Sequence, residues 1–144
     1  MSSALPFDAL TLSIDCTNLI EASAGTGKTY GIAALFTRLI VLEKKDIEKI
    51  LVVTFTKAAT AELKTRLRAR LDEVLQVLNE IQTLGGKPEH ISDGLNTYYE
   101  KEKKSPDGFL NRLIPLALGE QDGQESCHRL ILRLKAALGQ FDNA

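Results

Sequence analysis

Between residues 28 and 42, Ile32, Leu35, Phe36, Leu39 and Ile40 recur at intervals of three and four. That is the stripe of an amphipathic helix, and polar Glu43-Lys44-Lys45-Asp46 closes it. Ile50-Leu51-Val52-Val53 is an unbroken aliphatic run. Such a run predicts a strand buried on both faces, as in a parallel sheet under helices. A second helical pattern covers residues 57–80 through Leu63, Leu67, Leu71, Val74, Leu75 and Leu78. With Leu19-Ile20 as an earlier short strand, the order is strand, helix, strand, helix. That order predicts a right-handed crossover and an α/β layer fold with a parallel sheet. Leu10 to Ile14 is a possible third strand. A parallel sheet of this class usually has about five strands, so the expectation is a partial α/β domain.

Residues 83–107 read as a break. Gly85-Gly86-Lys87-Pro88 and Ser105-Pro106-Asp107-Gly108 are turn signals, and residues 96–104 between them are polar and charged. Helical patterns return over 109–118, where Pro115 is expected to interrupt, and over 125–138, which carries Leu130, Ile131, Leu134 and Leu138. The expected division is an α/β core over 1–82 and a mainly helical remainder over 83–144.

Composition narrows the function classes. The 144 residues are 44% hydrophobic and 26% charged, with a net charge of −1. This is globular composition without a whole-protein basic footprint for nucleic acid. No apolar run is long enough to cross a bilayer, and residues 1–8 lack the basic start of a secretory signal. A cytoplasmic protein with no membrane partner is the expectation. Cys16 and Cys127 are too few and too far apart for a zinc site, and read as small buried residues. His90 reads as a solvated loop residue.

The chemistry concentrates in one string, Ala22-Ser23-Ala24-Gly25-Thr26-Gly27-Lys28-Thr29. It is a Walker A loop with Ala in place of the first Gly. Gly25 and Gly27 admit backbone angles that turn successive amides inward around a phosphate. The helix that follows adds its positive end. Lys28 can reach the β and γ phosphates of ATP, and the Thr29 hydroxyl can ligate magnesium. Ser23 and Thr26 are small and leave room for the nucleotide.

A second signal follows the second expected strand. Thr54, Phe55, Thr56, Lys57 and Ala58 fall where strand gives way to helix, the edge at which parallel sheets place ligands. Hydroxyls and amides there can bind backbone phosphates, and Phe55 can stack on a base. Lys57, Lys64, Arg66, Arg68 and Arg70 outnumber Glu62 downstream. That run reads equally well as a solvated helix face.

Together the two strings resemble the UvrD/RecB-like branch of superfamily 1 DNA helicases. Within it they look most like the N-terminal part of the RecB (exodeoxyribonuclease V beta) subfamily. The likeness is strong over residues 18–70 and weak beyond. It implies a partial P-loop NTPase (RecA-like) domain with a parallel sheet, in which residues 22–29 are motif I, holding ATP and magnesium, with Lys28 and Thr29 catalytic. It also implies that residues 54–59 are motif Ia, touching single-stranded DNA. For the parent protein it implies an ATP-dependent helicase and exonuclease of double-strand break repair and recombination, working with RecC-like and RecD-like subunits. The chain departs from the family pattern in having no Gln before Gln76 to read adenine and no apolar run ending in an Asp-Glu pair. The expectation is an N-terminal piece that binds nucleotide and does not turn it over. The alternative from the residues alone is a stand-alone small P-loop nucleotide-binding module.

Overall fold

The structure, a computed structural model, describes residues 8–15, 28–52, 56–119 and 126–142. Among these the architecture is helical: α1 (Lys28–Val41), α2 (Lys57–Leu84), α3 (Ile91–Glu102), α4 (Gly108–Leu118) and α5 (Cys127–Asp142). The expected parallel sheet is not found, and no strand occurs among the described residues. Ile50 has extended backbone, yet Ile50, Leu51 and Val52 belong to no strand, and Leu51 is 86% exposed. Ala9, Leu10 and Thr11 form a turn in which the Thr11 and Leu12 amides donate to the Asp8 carbonyl at 3.2 and 2.9 Å. Leu19-Ile20 and Val53 lie outside the described residues. The physical reason is the nature of the signal. An aliphatic run favours extended backbone, but a strand exists only when its N–H and C=O groups meet a second strand. Here Ile50 and Val52 instead line an apolar groove with Phe36, Leu63, Leu67 and Phe141.

The helices follow their patterns closely. α1 matches the expected span, with Ala33, Ala34, Phe36 and Ile40 buried. α2 starts where expected, because Thr56 caps it: the Thr56 hydroxyl accepts from the Ala59 amide at 3.0 Å. It runs past residue 80 to a Schellman ending, with Gly86 N–H to Ile81 C=O at 2.9 Å and Gly85 N–H to Gln82 C=O at 3.1 Å. Gly85 adopts φ +133°, which favours glycine. Pro115 does not interrupt α4: it lies inside the helix on its exposed face.

α3 arises inside the expected break. Ile91, Leu95, Tyr98 and Tyr99 are all buried, a four-three-one spacing that fits a helical face. Gly94 lets α3 lie directly on α2: a Cβ there would strike the Ile81 side chain and approach its backbone within 3.1 Å.

Buried residues from all five helices form one cluster, in which Leu71, Val74, Leu78, Ile81, Leu113, Ile114 and Leu134 are wholly enclosed. α2 is its spine, packing on α1, α3 and α5. Tyr30 of α1 meets Arg70 of α2, while Phe36 further along α1 shares the groove with Leu63 and Leu67. The two helices therefore run in opposite directions.

Arginines tie the helix ends. Arg133 of α5 donates to the Ile40 and Val41 carbonyls, at 2.5 and 3.0 Å, closing the C-terminal end of α1. Arg38 donates to the Ala9 and Leu12 carbonyls at 3.0 and 2.5 Å, and so fastens the N-terminal turn to α1.

Candidate functional site

The first six residues of the phosphate-loop string, Ala22, Ser23, Ala24, Gly25, Thr26 and Gly27, lie outside the described residues. Lys28 and Thr29 open α1. The helix is long enough to carry a dipole, and its first turn holds no acidic residue to compete with an anion.

Tyr30 follows directly and is held from the side. The Arg70 guanidinium lies over the Tyr30 ring with its carbon 5.2 Å from the centroid, and Nη2 donates to the Tyr30 hydroxyl at 3.2 Å. The same guanidinium carbon lies 4.8 Å from the centre of the Phe109 ring. Nη1 donates to Glu73 and to Asp107, both at 2.7 Å. The Arg70 side chain is 8% exposed, and two carboxylates compensate for its burial. Burial works to raise the Asp107 carboxyl, but the Arg70 guanidinium and the Phe109 and Leu110 amides hold it below the usual range. Burial likewise works against the Arg70 charge, and Asp107 and Glu73 outweigh it, so its affinity for the proton rises. Asp107 is also the N-cap of α4. One guanidinium thus joins the first turn of α1, the middle of α2 and the start of α4.

Of the residues expected to touch DNA, Thr54 and Phe55 lie outside the described residues. Thr56 caps α2, and Lys57 and Ala58 are exposed in its first turn. The basic run does not act as one patch. Arg66 pairs with Glu62 at 3.2 Å, Arg68 with Asp142 at 2.6 Å, and Arg70 turns inward.

The two helix starts are not brought together. Tyr30 meets α2 at Arg70, and fourteen residues of helix separate Arg70 from Thr56, about 20 Å at 1.5 Å per residue. The reading of residues 54–58 as a sheet-edge site rested on a strand before them, and no strand occurs among the described residues.

Sequence reasoning missed the Tyr30–Arg70–Asp107 connection. Asp107 before an apolar helical run carries an N-cap signal. No periodicity marks a buried Arg. Among the described residues no cluster of three His, Cys, Asp or Glu side chains could hold a metal ion, and no helix is long and apolar enough to cross a membrane.

The chain is similar to known proteins over about half of its length. It is 42% identical over 85 residues to the RecBCD enzyme subunit RecB of Haemophilus influenzae, covering 54% of this chain and 7% of that one. It is 48% identical over 75 residues to the RecBCD enzyme subunit RecB of Escherichia coli K12, covering 46% and 6%. It is 41% identical over 64 residues to the RecBCD enzyme subunit RecB of Mycolicibacterium smegmatis, covering 44% and 6%. The matched stretch is therefore 6 to 7% of the length of these relatives. No solved structure gives a significant match. The family model of the UvrD/REP helicase N-terminal domain matches residues 7–100, a span that takes in the phosphate-loop string, Tyr30, the α2 cap and Arg70. The chain belongs to the UvrD/REP helicase N-terminal domain family.

Proposed function

We propose that this chain is the N-terminal, nucleotide-binding part of a RecB-like DNA helicase–exonuclease subunit. The observation that carries the reading is the string Ala22-Ser23-Ala24-Gly25-Thr26-Gly27-Lys28-Thr29 running directly into α1, inside the span matched by the helicase family. Main-chain amides of that loop and the α1 end cradle the phosphates. The Lys28 ammonium would offset their charge, and the Thr29 hydroxyl would hold the magnesium that accompanies ATP. The bound nucleotide supplies the free energy of phosphoryl transfer. What this chain contributes is positioning and charge. Lys28 and Thr29 come from it, and no apolar run in the sequence ends in the Asp-Glu pair that would orient water. The stand-alone module is the less favoured reading, since the relatives are RecBCD enzyme subunits and the matching family is a helicase domain.

The same reading assigns Thr54, Phe55, Thr56, Lys57 and Ala58 to single-stranded DNA. Support comes from Lys57, exposed in the first turn of α2, at a helix end that favours phosphate. RecC-like and RecD-like subunits would be the partners, since the relatives are RecBCD enzyme subunits. Double-strand break repair would be the setting, in the cytoplasm where bacterial DNA lies.

Anisotropy of a labelled single-stranded oligonucleotide tests the DNA half. Binding is expected to weaken as salt rises, and Lys57→Ala is expected to weaken it at low salt. Equal signals with and without the protein at low salt would remove this assignment.

A further inference from the structure

Tyr30 sits one residue past Thr29, in the first turn of α1, and is 57% exposed. Burial of its own ring therefore does not hold Tyr30 in place. The fastening is lateral. Arg70 bonds the hydroxyl at 3.2 Å and lies over the ring at 5.2 Å. Arg70 itself cannot wander. It is enclosed, lies over Phe109 at 4.8 Å, and is bonded at 2.7 Å to both Glu73 and Asp107. Asp107 in turn is fixed by the Phe109 and Leu110 amides at 2.9 and 3.3 Å.

We infer that Arg70 is a positioning residue for nucleotide binding, acting through Tyr30 to set the first turn of α1. The inference rests on the proposed nucleotide site. Helix-end amides bind phosphate only when they converge on it, and a first turn free to fray must be ordered when the ligand arrives. Arg70 does that ordering beforehand. The guanidinium is suited to the task because its planar fork serves two carboxylates and a hydroxyl at once while its faces meet aromatic rings. A Lys could keep the charge beside Asp107 and Glu73 but not the planar stack and the bond to Tyr30.

The test is calorimetric titration of magnesium–ATP into the whole chain and its variants, with melting curves recorded without nucleotide. Tyr30→Ala and Arg70→Lys are each expected to weaken binding about fivefold, the weight of one hydrogen bond and its stack. The double variant should be no weaker than the worse single one, because both break the same link. Tyr30→Phe, which keeps the ring and loses the hydroxyl, should fall between wild type and Tyr30→Ala. The nucleotide-free melting temperature of Tyr30→Ala should fall by no more than a few degrees, since the folded chain loses only that one link. As a control, Leu134→Ala should lower the melting temperature and leave the affinity of the folded chain unchanged. Wild-type affinity in Arg70→Lys beside weakened Tyr30→Ala would overturn the inference and make Tyr30 a direct contact. Additive losses, or no losses, would overturn it as well. If Arg70→Lys does not fold, Tyr30→Phe decides, and unchanged affinity there counts against the inference. Failure of the wild type to bind nucleotide would remove the site reading and this inference with it. Binding by the wild type with unaffected variants removes the inference alone.

Discussion

Arg70 and Asp107 lie thirty-seven residues apart and meet through two nitrogen–oxygen contacts at 2.7 and 3.4 Å, joining the middle of α2 to the first residue before α4. Because the Asp107 carboxyl is held below the usual range, its contribution to stability has a definite pH dependence. A carboxyl whose folded pKa is depressed stabilises the protein above its unfolded value, near 3.9, and loses that effect as pH falls through the folded value. Asp107→Asn keeps an acceptor for the α4 amides and removes the charge. At pH 7 it should cost about 1–3 kcal/mol. Urea unfolding at a series of pH values should show the gap between wild type and variant closing below about pH 4. A constant gap would mean that the charge is not what matters.

Gly94→Ala should destabilise by about 1–3 kcal/mol, the usual cost of overpacking a filled core. The new methyl would meet Ile81, which is wholly enclosed and has no room to yield. Chemical denaturation is the measurement. An unchanged midpoint would show that α2 and α3 do not lie this close.

Two helix ends carry opposite expectations. Lys103 closes α3 in the left-handed region at φ 54°, without the freedom of glycine. Lys103→Gly should therefore change stability little or raise it, by up to about 1 kcal/mol, after the flexibility it adds to the unfolded chain. Gly85→Ala at φ 133° should lower it by at least about 1 kcal/mol, and its Cβ would also run into the His90 ring at 2.6 Å. Thermal melting of the two variants should move in opposite directions or, at the least, differ clearly.

Cys127 should be inert. Burial pushes its thiol up to about 11, and the sulfur lies 3.3 Å from the Leu78 carbonyl, to which it donates. In a Cys16→Ser background, alkylation at pH 7 should be slow in the folded chain and fast in denaturant. Rapid labelling of the native protein would show that the α5 end opens.

The helices were legible in the sequence because their information is local. The spacing of Leu63, Leu67, Leu71, Val74 and Leu78 specifies one face of α2 whatever lies against it. The sheet was not. Ile50, Leu51 and Val52 state a preference for extended backbone, and their partners are not determined by anything nearby in sequence. α3 was hidden because Ser92, Asp93, Asn96, Thr97, Glu100, Lys101 and Glu102 make most of it polar, while the apolar Ile91, Leu95, Tyr98 and Tyr99 that form its buried face stand out less. At the proposed site, the phosphate-loop string suggests a nucleotide because its glycines and its Lys-Thr pair carry a mechanism, and its first six residues lie outside the described ones. The Tyr30–Arg70–Asp107 link could not be read, because it joins three distant segments through a buried charge that sequence patterns place at the surface.

The residues leading into α1 are proposed to grip a nucleotide. Titration calorimetry of magnesium–ATP into the chain, beside Lys28→Ala, tests this proposal most directly. Saturable heat is expected for the wild type and its loss in Lys28→Ala, with the melting temperature of the nucleotide-free variant unchanged and a rise in melting temperature on adding nucleotide seen only in the wild type. No heat with the wild type, or the same affinity in Lys28→Ala, would contradict it.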